Sequence, residues 1–221
     1  PMHDQLIECV PNFSEGRDLA VIKQITDQIQ SVDGVQLLDV DPGKAKNLNA
    51  GKSYIDAVTS RELAEHVNAG RFQATTDFTQ LAQCDIIVIC VPTPLSRNRE
   101  PDLSFIRKSG EAIAKNLRRG QLIVLESTSY PGTTADVLKP ILEHSGLVSG
   151  QDFWMGFSPE REDPGNKSFN TVTIPKVVAG DGVQASALVV DFYATVVDRV
   201  VPVSSTSVAE AVKITENVFR A

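Results

Sequence analysis

Gln83 to Pro94 reads QCDIIVICVPTP, and this stretch decides the fold of the chain. Six apolar residues, Ile86 to Val91, stand between Asp85 and a Pro-Thr-Pro turn. A short apolar run of mostly β-branched residues is typical of a strand that is buried on both faces. Such strands occur in parallel sheets covered by helices, and ligands of these sheets bind just beyond the carboxyl end of a strand. The turn Val91 to Pro94 is therefore predicted to face a ligand.

A second stretch, Gln121 to Tyr130, has the same design. The apolar QLIVL precedes the polar ESTSY, and Pro131-Gly132 follows. Two buried strands that both open into turns rich in Ser, Thr and Pro predict one cleft lined by those turns.

The rest of the chain alternates between strand and helix patterns. Thr59 and Glu62 have the spacing of a capping box, and Pro140 is expected to kink or divide the helix that contains it. This alternation predicts an α/β fold with a mostly parallel sheet and flanking helices. Strands are predicted at 5–10, 35–40, 72–76, 86–91, 121–125, 153–157, 176–179 and 200–203, with a helix from 18 to about 33, a polar loop at 162–173, and helices at 185–196 and 207–221.

Composition narrows the classes of function. The 221 residues are 42% hydrophobic and 22% charged, and the net charge of −7 without a basic run argues against a nucleic-acid partner. No apolar stretch approaches the roughly 20 residues of a membrane helix, and the N-terminus lacks a signal-peptide pattern. The three cysteines form no CxxC pair, so we expect reduced, buried thiols and a cytoplasmic location. The three histidines lie far apart, so no metal site is predicted.

The first β-α-β segment has a candidate for the ribose-binding carboxylate of a dinucleotide site but lacks its glycine-rich turn. Asp39 ends the second strand, where a carboxylate can accept hydrogen bonds from both hydroxyls of a ribose, although a solvated turn residue explains it equally well. The first turn should read GxGxxG. It reads IECVPNFSEG instead, with the single glycine Gly16, so the backbone is not built for close approach to a pyrophosphate.

A second set of polar residues suggests catalytic chemistry. Hydroxyls after a strand can position a substrate or water, and a carboxylate in a Pro-flanked turn can act as a base. A lysine one helical turn before an asparagine can stabilise an oxyanion. Each residue also has a structural reading, Lys213 as a solvated helix lysine and Glu160 as a turn residue. The set consists of Ser127, Thr128, Glu160, Lys213 and Asn217.

From about Asp39 to Ala221 the chain resembles the UDP-glucose/GDP-mannose dehydrogenase family, most closely its branch that acts on UDP-N-acetylhexosamines. The motifs that carry the resemblance are LNAGKSYI, GRFQATTDF, DIIVICVPTPL, EPDLSFI, GQLIVLESTSYPGTT, FSPEREDPGN, IPKVVAGD, DRVVPVSS and AEAVKITENVFRA.

The resemblance implies a Rossmann-like NAD-binding domain, a long linking helix that contributes to a homodimer, and a cytoplasmic role in polysaccharide biosynthesis. It also implies oxidation of the C6 alcohol of a UDP-sugar to a carboxylate by two hydride transfers through a cysteine thioester. Implied cofactor contacts are Asp39, Lys44, Thr93 and Thr128. The implied catalytic residues are Thr128, which holds the water, Glu160 of the SPE turn, and the oxyanion pair Lys213 and Asn217.

Two departures from the family pattern shape the expected domains. No GGxC motif with the catalytic cysteine occurs in the sequence, and residues 1–46 are similar to the N-terminal segment of glutamate formiminotransferase, a folate enzyme. We therefore expect a hybrid: a formiminotransferase-like segment at 1–46, a dehydrogenase-type NAD domain at 47–203, and the start of a dimerisation helix at 204–221. The alternatives are a folate-dependent transferase segment and a non-catalytic Rossmann-like module.

Overall fold

A computed structural model of the chain describes residues 7–11, 35–38, 41–54, 58–94, 101–159 and 175–220. Within these ranges, side chains are described except at 7–11, 35–36 and 216–220. The helix predicted from residue 18 and the loop predicted at 162–173 lie outside the described residues.

The described strands form one sheet with the order β3-β2-β1-β4-β5-β6-β7-β8. Neighbours pair in parallel from β3 to β6, β7 is antiparallel to β6, and β8 is parallel to β7. The prediction of an α/β fold with a mostly parallel sheet is confirmed. The strands are β1 (Ile7–Pro11), β2 (Val35–Leu38), β3 (Phe72–Thr75), β4 (Ile86–Cys90), β5 (Leu122–Leu125), β6 (Trp154–Phe157), β7 (Lys176–Gly180) and β8 (Val200–Pro202).

Helices cover both faces of the sheet. Successive β4 residues alternate between two core clusters, with Val88 in one and Ile87 and Ile89 in the other, so each face of the strand is packed. All three are fully buried, as the sequence predicts for this stretch. The helices are α1 (Pro42–Asn49), α2 (Ser60–Asn68), a short 3₁₀ helix (Phe78–Gln83), α3 (Ser104–Ala114), a π-helical segment (Thr133–Leu138) that leads into α4 (Lys139–Glu143), α5 (Val183–Ala194) and α6 (Thr206–Arg220).

Two local predictions are confirmed in atomic detail. Thr59 and Glu62 form the capping box of α2: the Glu62 N–H donates to Thr59 Oγ1 at 3.2 Å, and the Thr59 N–H donates to Glu62 Oε2 at 2.9 Å. Pro140 lies in the first turn of α4, directly after the π-helical segment. The helix changes from π to α geometry just before this proline, so Pro140 does divide it.

The chain reverses its direction of travel across the sheet at β1. From β1 it builds β2 and β3 on one side, and then crosses to β4 and the remaining strands on the other. The ends of β1 and β4 are level, since Pro11 is paired with Cys90. A crevice at such a switch point, beyond the carboxyl ends of the strands, is where ligands bind in open α/β sheets.

Helix α5 lies unusually close to the second half of the sheet. A Cβ placed on Gly180 would come within 2.0 Å of the backbone nitrogen of Ser186, and one on Gly156 within 2.4 Å of Val189 Cγ2. Glycine is therefore required at both positions for α5 to pack where it does.

Candidate functional site

The turns after β4 and β5 are tied together at the carboxyl edge of the sheet. The Ser127 hydroxyl accepts a hydrogen bond from the Val91 N–H at 2.7 Å and donates to the Ile89 carbonyl at 3.3 Å. The Glu126 N–H donates to the same Ile89 carbonyl at 2.9 Å. The two sequence motifs thus lie side by side at one edge of the sheet, and that their turns line one cleft stays a prediction.

Thr93 and Thr128, one on each of these turns, are half-buried. Next to Thr128, the Ser129 hydroxyl is buried and has no hydrogen-bond partner among the described residues. A buried hydroxyl without a partner carries a desolvation cost of about 1–3 kcal/mol unless a water or ligand binds it. The turn after β5 therefore has a hydroxyl, that of Ser129, which could hydrogen-bond a ligand.

A buried charged cluster lies beneath these turns. Glu126 is 3% exposed, and its Oε1 accepts a hydrogen bond from the Tyr193 hydroxyl. The same oxygen forms an ion pair with Lys176 Nζ at 3.3 Å. The Cys90 thiol donates to Oε2 at 3.7 Å. Because β4, β5, β7 and α5 each contribute one of these residues, one carboxylate connects four elements at the carboxyl edge.

Tyr193 is a neutral donor in this cluster. Complete burial, followed by the nearby charge of Glu126, raises the pKa of the Tyr193 phenol well above its ordinary value. The Lys176 ammonium also lies 5.2 Å from the centre of the Tyr193 ring, on which a cation is favoured. The carboxylate, the ammonium and the phenol thus lie together as a polar group in an apolar core.

The next turn along the sheet is held in a similar way. The Ser158 hydroxyl donates to the Val177 carbonyl at 2.9 Å, and the Ser158 N–H donates to the Leu125 carbonyl at 3.1 Å. The start of the Ser158-Pro159-Glu160 turn is therefore fixed to its two neighbouring strands, although Glu160 itself is outside the described residues.

Helix α6 contributes two buried charged side chains. Lys213 is 9% exposed, so its interpretation as a solvated helix lysine is wrong. Glu210, one turn earlier, is fully buried and accepts hydrogen bonds from the backbone N–H groups of Gly132 and Thr134 at 2.6 and 2.9 Å. The Thr134 hydroxyl donates to the same carboxylate at 2.7 Å. Burial raises the pKa of Glu210 above its ordinary value, against the lowering effect of these hydrogen bonds.

Lys44 lies in the first turn of α1, directly after β2. The Asp41 carboxylate caps this helix by accepting hydrogen bonds from the Gly43 and Lys44 N–H groups at 2.8 and 3.3 Å. The Lys44 ammonium lies 5.6 Å from the centre of the Tyr54 ring. Lys44 is therefore held at the end of the sheet where the sequence predicts a cofactor contact.

The structure does not test every predicted site residue. Asp39 and Glu160 lie outside the described residues, and only the backbone of Asn217 is described, in α6. Thr93, Thr128, Lys44 and Lys213 are all placed, but their roles stay predictions.

Sequence reasoning missed four residues of this edge: Glu126, Lys176, Tyr193 and Glu210. The sequence predicts Glu126 as the first polar residue of a turn, yet it is buried in the core. A signal did exist for Glu210, since it stands three residues before Lys213 and therefore on the same face of its helix. The partners of Glu126 come from 36 to 67 residues away, and no local pattern indicates them.

Two kinds of feature are absent from the described part of the chain. No group of three or more His, Cys, Asp or Glu side chains there is arranged to hold a metal ion. None of the described helices combines the length and apolarity needed to cross a membrane.

Comparison with known proteins identifies the family of the chain. Residues 20–197 match the family model described as the UDP-glucose/GDP-mannose dehydrogenase family, NAD binding domain. The chain belongs to the UDP-glucose/GDP-mannose dehydrogenase family. The matched region contains all of β2 to β7 and the turns described above, so it is the NAD-binding domain of the family.

Curated relatives agree with this assignment. The chain is 38% identical over 184 residues to Protein CapL of Staphylococcus aureus, covering 82% of this chain and 42% of that protein. It is 35% identical over 184 residues to the UDP-N-acetyl-D-glucosamine 6-dehydrogenase of Pseudomonas aeruginosa, covering 82% and 43% respectively. The chain therefore spans less than half the length of the curated relatives it matches.

Solved structures share the fold. The UDP-D-ManNAc dehydrogenase of Pyrococcus horikoshii superimposes with a TM-score of 0.86 at 29% identity, covering 97% of this chain and 50% of that one. A ternary complex of GDP-mannose dehydrogenase from Pseudomonas aeruginosa gives a TM-score of 0.84 at 28% identity, covering 97% and 49%.

The comparisons confirm the dehydrogenase resemblance and the Rossmann-like fold. They do not show the resemblance of residues 1–46 to glutamate formiminotransferase, and the family match begins at residue 20, inside that segment.

Proposed function

We propose that the chain forms the cofactor-binding half of an NAD-dependent 6-dehydrogenase acting on a UDP-N-acetylhexosamine. The enzyme would oxidise the C6 alcohol of the sugar to a carboxylate in the cytoplasm, as a homodimer. This proposal is supported by the carboxyl edge of the sheet, where the switch point lies beside the turn of Thr128. The helix α6, which carries the buried Lys213, is hydrogen-bonded through Glu210 to the segment that follows this turn. The substrate class is supported by the names of the relatives.

The described residues fit a bound dinucleotide in two respects. The crevice lies at the switch point beyond β1 and β4, and the turn after β5 offers the partnerless hydroxyl of Ser129. NAD supplies the hydride acceptor when it is bound there. We propose that Asp39 and Lys44 bind its adenosine end, and that Thr93 and Thr128 line its path along the edge.

The remaining residues are proposed to act in the reaction at C6 of the sugar. Thr128 would hold the water that hydrolyses the thioester, with Glu160 as its acidic neighbour. Lys213 and Asn217, one helical turn apart, would stabilise the oxyanion that forms at C6, because a fixed cation and an amide donor need no reorganisation as charge develops. The burial of Lys213 supports this role, since a cation removed from water acts more strongly on a nearby charge.

The first turn fits NAD poorly. When Gly16 is aligned with the last glycine of GxGxxG, Pro11 and Phe13 take the places of the first two. The first of these glycines serves the tight turn and the second allows the backbone to approach the pyrophosphate. We propose that this substitution weakens NAD binding, and that the part of the segment 1–46 before the family match is foreign to the NAD domain at 47–203 and the helix at 204–221.

Calorimetric titration with NAD tests the proposal. We expect the 221-residue chain to bind with a Kd of about 1 mM or weaker, and the double variant Pro11→Gly/Phe13→Gly to bind at least about tenfold more tightly. The matched control is Pro11→Ala/Phe13→Ala, which removes the same bulk but keeps the Cβ atoms. Micromolar binding by the unchanged chain would refute the account of the first turn. Failure of every variant to bind NAD would refute the cofactor domain itself.

A non-catalytic Rossmann-like module is the second candidate, favoured by the same glycine-poor turn. We expect the purified chain to form no NADH from NAD and UDP-N-acetylglucosamine. Measurable NADH would contradict this expectation and would also rule out a non-catalytic module. Sequencing the source DNA across codons 35 to 55 tests the hybrid origin, because an uninterrupted read excludes misassembly.

A further inference from the structure

Glu210 makes an unusual set of contacts for a residue in the middle of a helix. Its carboxylate receives two backbone N–H groups and one hydroxyl from Gly132 and Thr134, which lie 76 to 78 residues earlier in the chain. These N–H groups belong to the start of the π-helical segment at Thr133–Leu138. Glu210 thus caps a helix to which it does not belong.

An ordinary helix cap does not explain this arrangement. A Ser, Thr, Asp or Asn at the cap position satisfies the first N–H groups locally. Here the cap position is Gly132, at a φ of 97°, and a Cβ on it would come 2.5 Å from Asp136 Oδ2. The carboxylate supplied by α6 has a higher desolvation cost than a local cap and lies near the negative charge of Asp136, as the raised pKa of Glu210 reflects.

The described part of α6 also contributes apolar surface to the core. Ala209 is fully buried in the core, and Val212 packs against the same core cluster from a partly buried position. Apolar contacts are non-directional, so they tolerate sliding and rotation of a helix better than hydrogen bonds do. Three short hydrogen bonds at Glu210 therefore fix both the height and the rotation of α6.

The topology makes that position matter for the cleft. Because β7 is antiparallel to β6 and β8 is parallel to β7, β8 ends near the amino edge and α6 returns toward the carboxyl edge. The contact of Glu210 with Gly132, which follows the carboxyl end of β5, agrees with this direction. Lys213 stands on the same helix face, about 4.5 Å further along the axis toward the cleft.

We propose that Glu210 is a positioning residue that sets the place of Lys213 by tying α6 to the turn that carries Thr128. The catalytic meaning of this position rests on the function proposed above. The mechanical claim does not, because it concerns only the burial and register of Lys213 within the chain.

Site-resolved acylation of lysines tests the claim without NAD or substrate. The 221-residue chain is treated with a limiting amine-acylating reagent, and labelling of each lysine is followed by peptide mass spectrometry. In Glu210→Ala we expect Lys213 to react about tenfold faster, because release of α6 exposes it locally. Lys176, buried in β7, reports global unfolding and should keep its slow rate.

Two milder variants keep the test decisive if Glu210→Ala fails to fold. Thr134→Val removes only the hydroxyl bond, and Glu210→Gln keeps the shape but replaces one acceptor by a donor that faces a backbone N–H. Both should accelerate Lys213 selectively, by about twofold to fivefold, while the exposed Glu111→Gln leaves it unchanged. Unchanged Lys213 labelling, or equal acceleration of Lys176 and Lys213, would overturn the proposal. Failure to bind NAD would leave it intact.

Discussion

Replacing Lys176 by Met should destabilise the domain strongly. Lys176 and Glu126 are only 4% and 3% exposed, and their charged atoms lie 3.3 Å apart. Methionine has a similar length, so the change removes the positive charge with little loss of packing. Glu126 keeps the Tyr193 and Cys90 donors but loses the charge of Lys176.

The structure bounds the size of the effect. Breaking one side of a buried ion pair costs about 3–5 kcal/mol in free energy of unfolding. We therefore expect Lys176→Met to lose about 3–5 kcal/mol at pH 7. Urea unfolding at pH 7, followed by circular dichroism, measures this loss in free energy of unfolding.

The double variant Glu126→Gln/Lys176→Met is the matched control. It removes both charges and keeps an acceptor for the Tyr193 hydroxyl, so most of the stability should return. Two results would refute the reasoning: a loss under about 1 kcal/mol for Lys176→Met at pH 7, or a double variant as unstable as the single one.

Other predictions concern local features. Gly180→Ala should cost at least about 2 kcal/mol in urea unfolding, because the new Cβ meets the backbone of α5 at Ser186, and a loss under about 0.5 kcal/mol would show that α5 shifts freely. Thr59→Ala should cost about 1 kcal/mol by removing the capping box with Glu62, and an unchanged urea midpoint would contradict this. The raised pKa of Glu210 means that its ionisation costs stability, so the unchanged chain should gain stability relative to Glu210→Gln as pH falls from 7 toward 5, and a flat difference would contradict the shift.

The sequence carries enough information for the parallel half of the fold. β4 and β5 are short apolar runs that no amphipathic helix explains, and their polar turns mark the edge of the ligand cleft. The capping box at Thr59 is a local pattern with a local cause, so it could be predicted and was confirmed. Lys213 and Thr128 could be singled out because their residue types and positions fit known chemistry.

The direction of β7 and the polar core could not be predicted in this way. The residues of β7, KVVAG, pair equally well in either direction, and the choice depends on how the chain arrives from residues 158 to 175. Glu126 was misjudged because a glutamate after a strand is usually solvated. Its burial is tolerated only because Lys176 and Tyr193 reach it, and such long-range compensation leaves no periodic signal in the sequence.

The antiparallel pairing of β7 with β6 also decides which end of the last helix faces the cleft. Since α6 runs toward the carboxyl edge, the negative end of its dipole points there, whereas the helix that starts at Thr133 begins near that edge with its positive end. Glu210 neutralises the positive end at Thr133, so the N–H groups of Gly132 and Thr134 are not available to a phosphate. The carboxyl-terminal end of α6 thus brings to this edge an environment that favours cations.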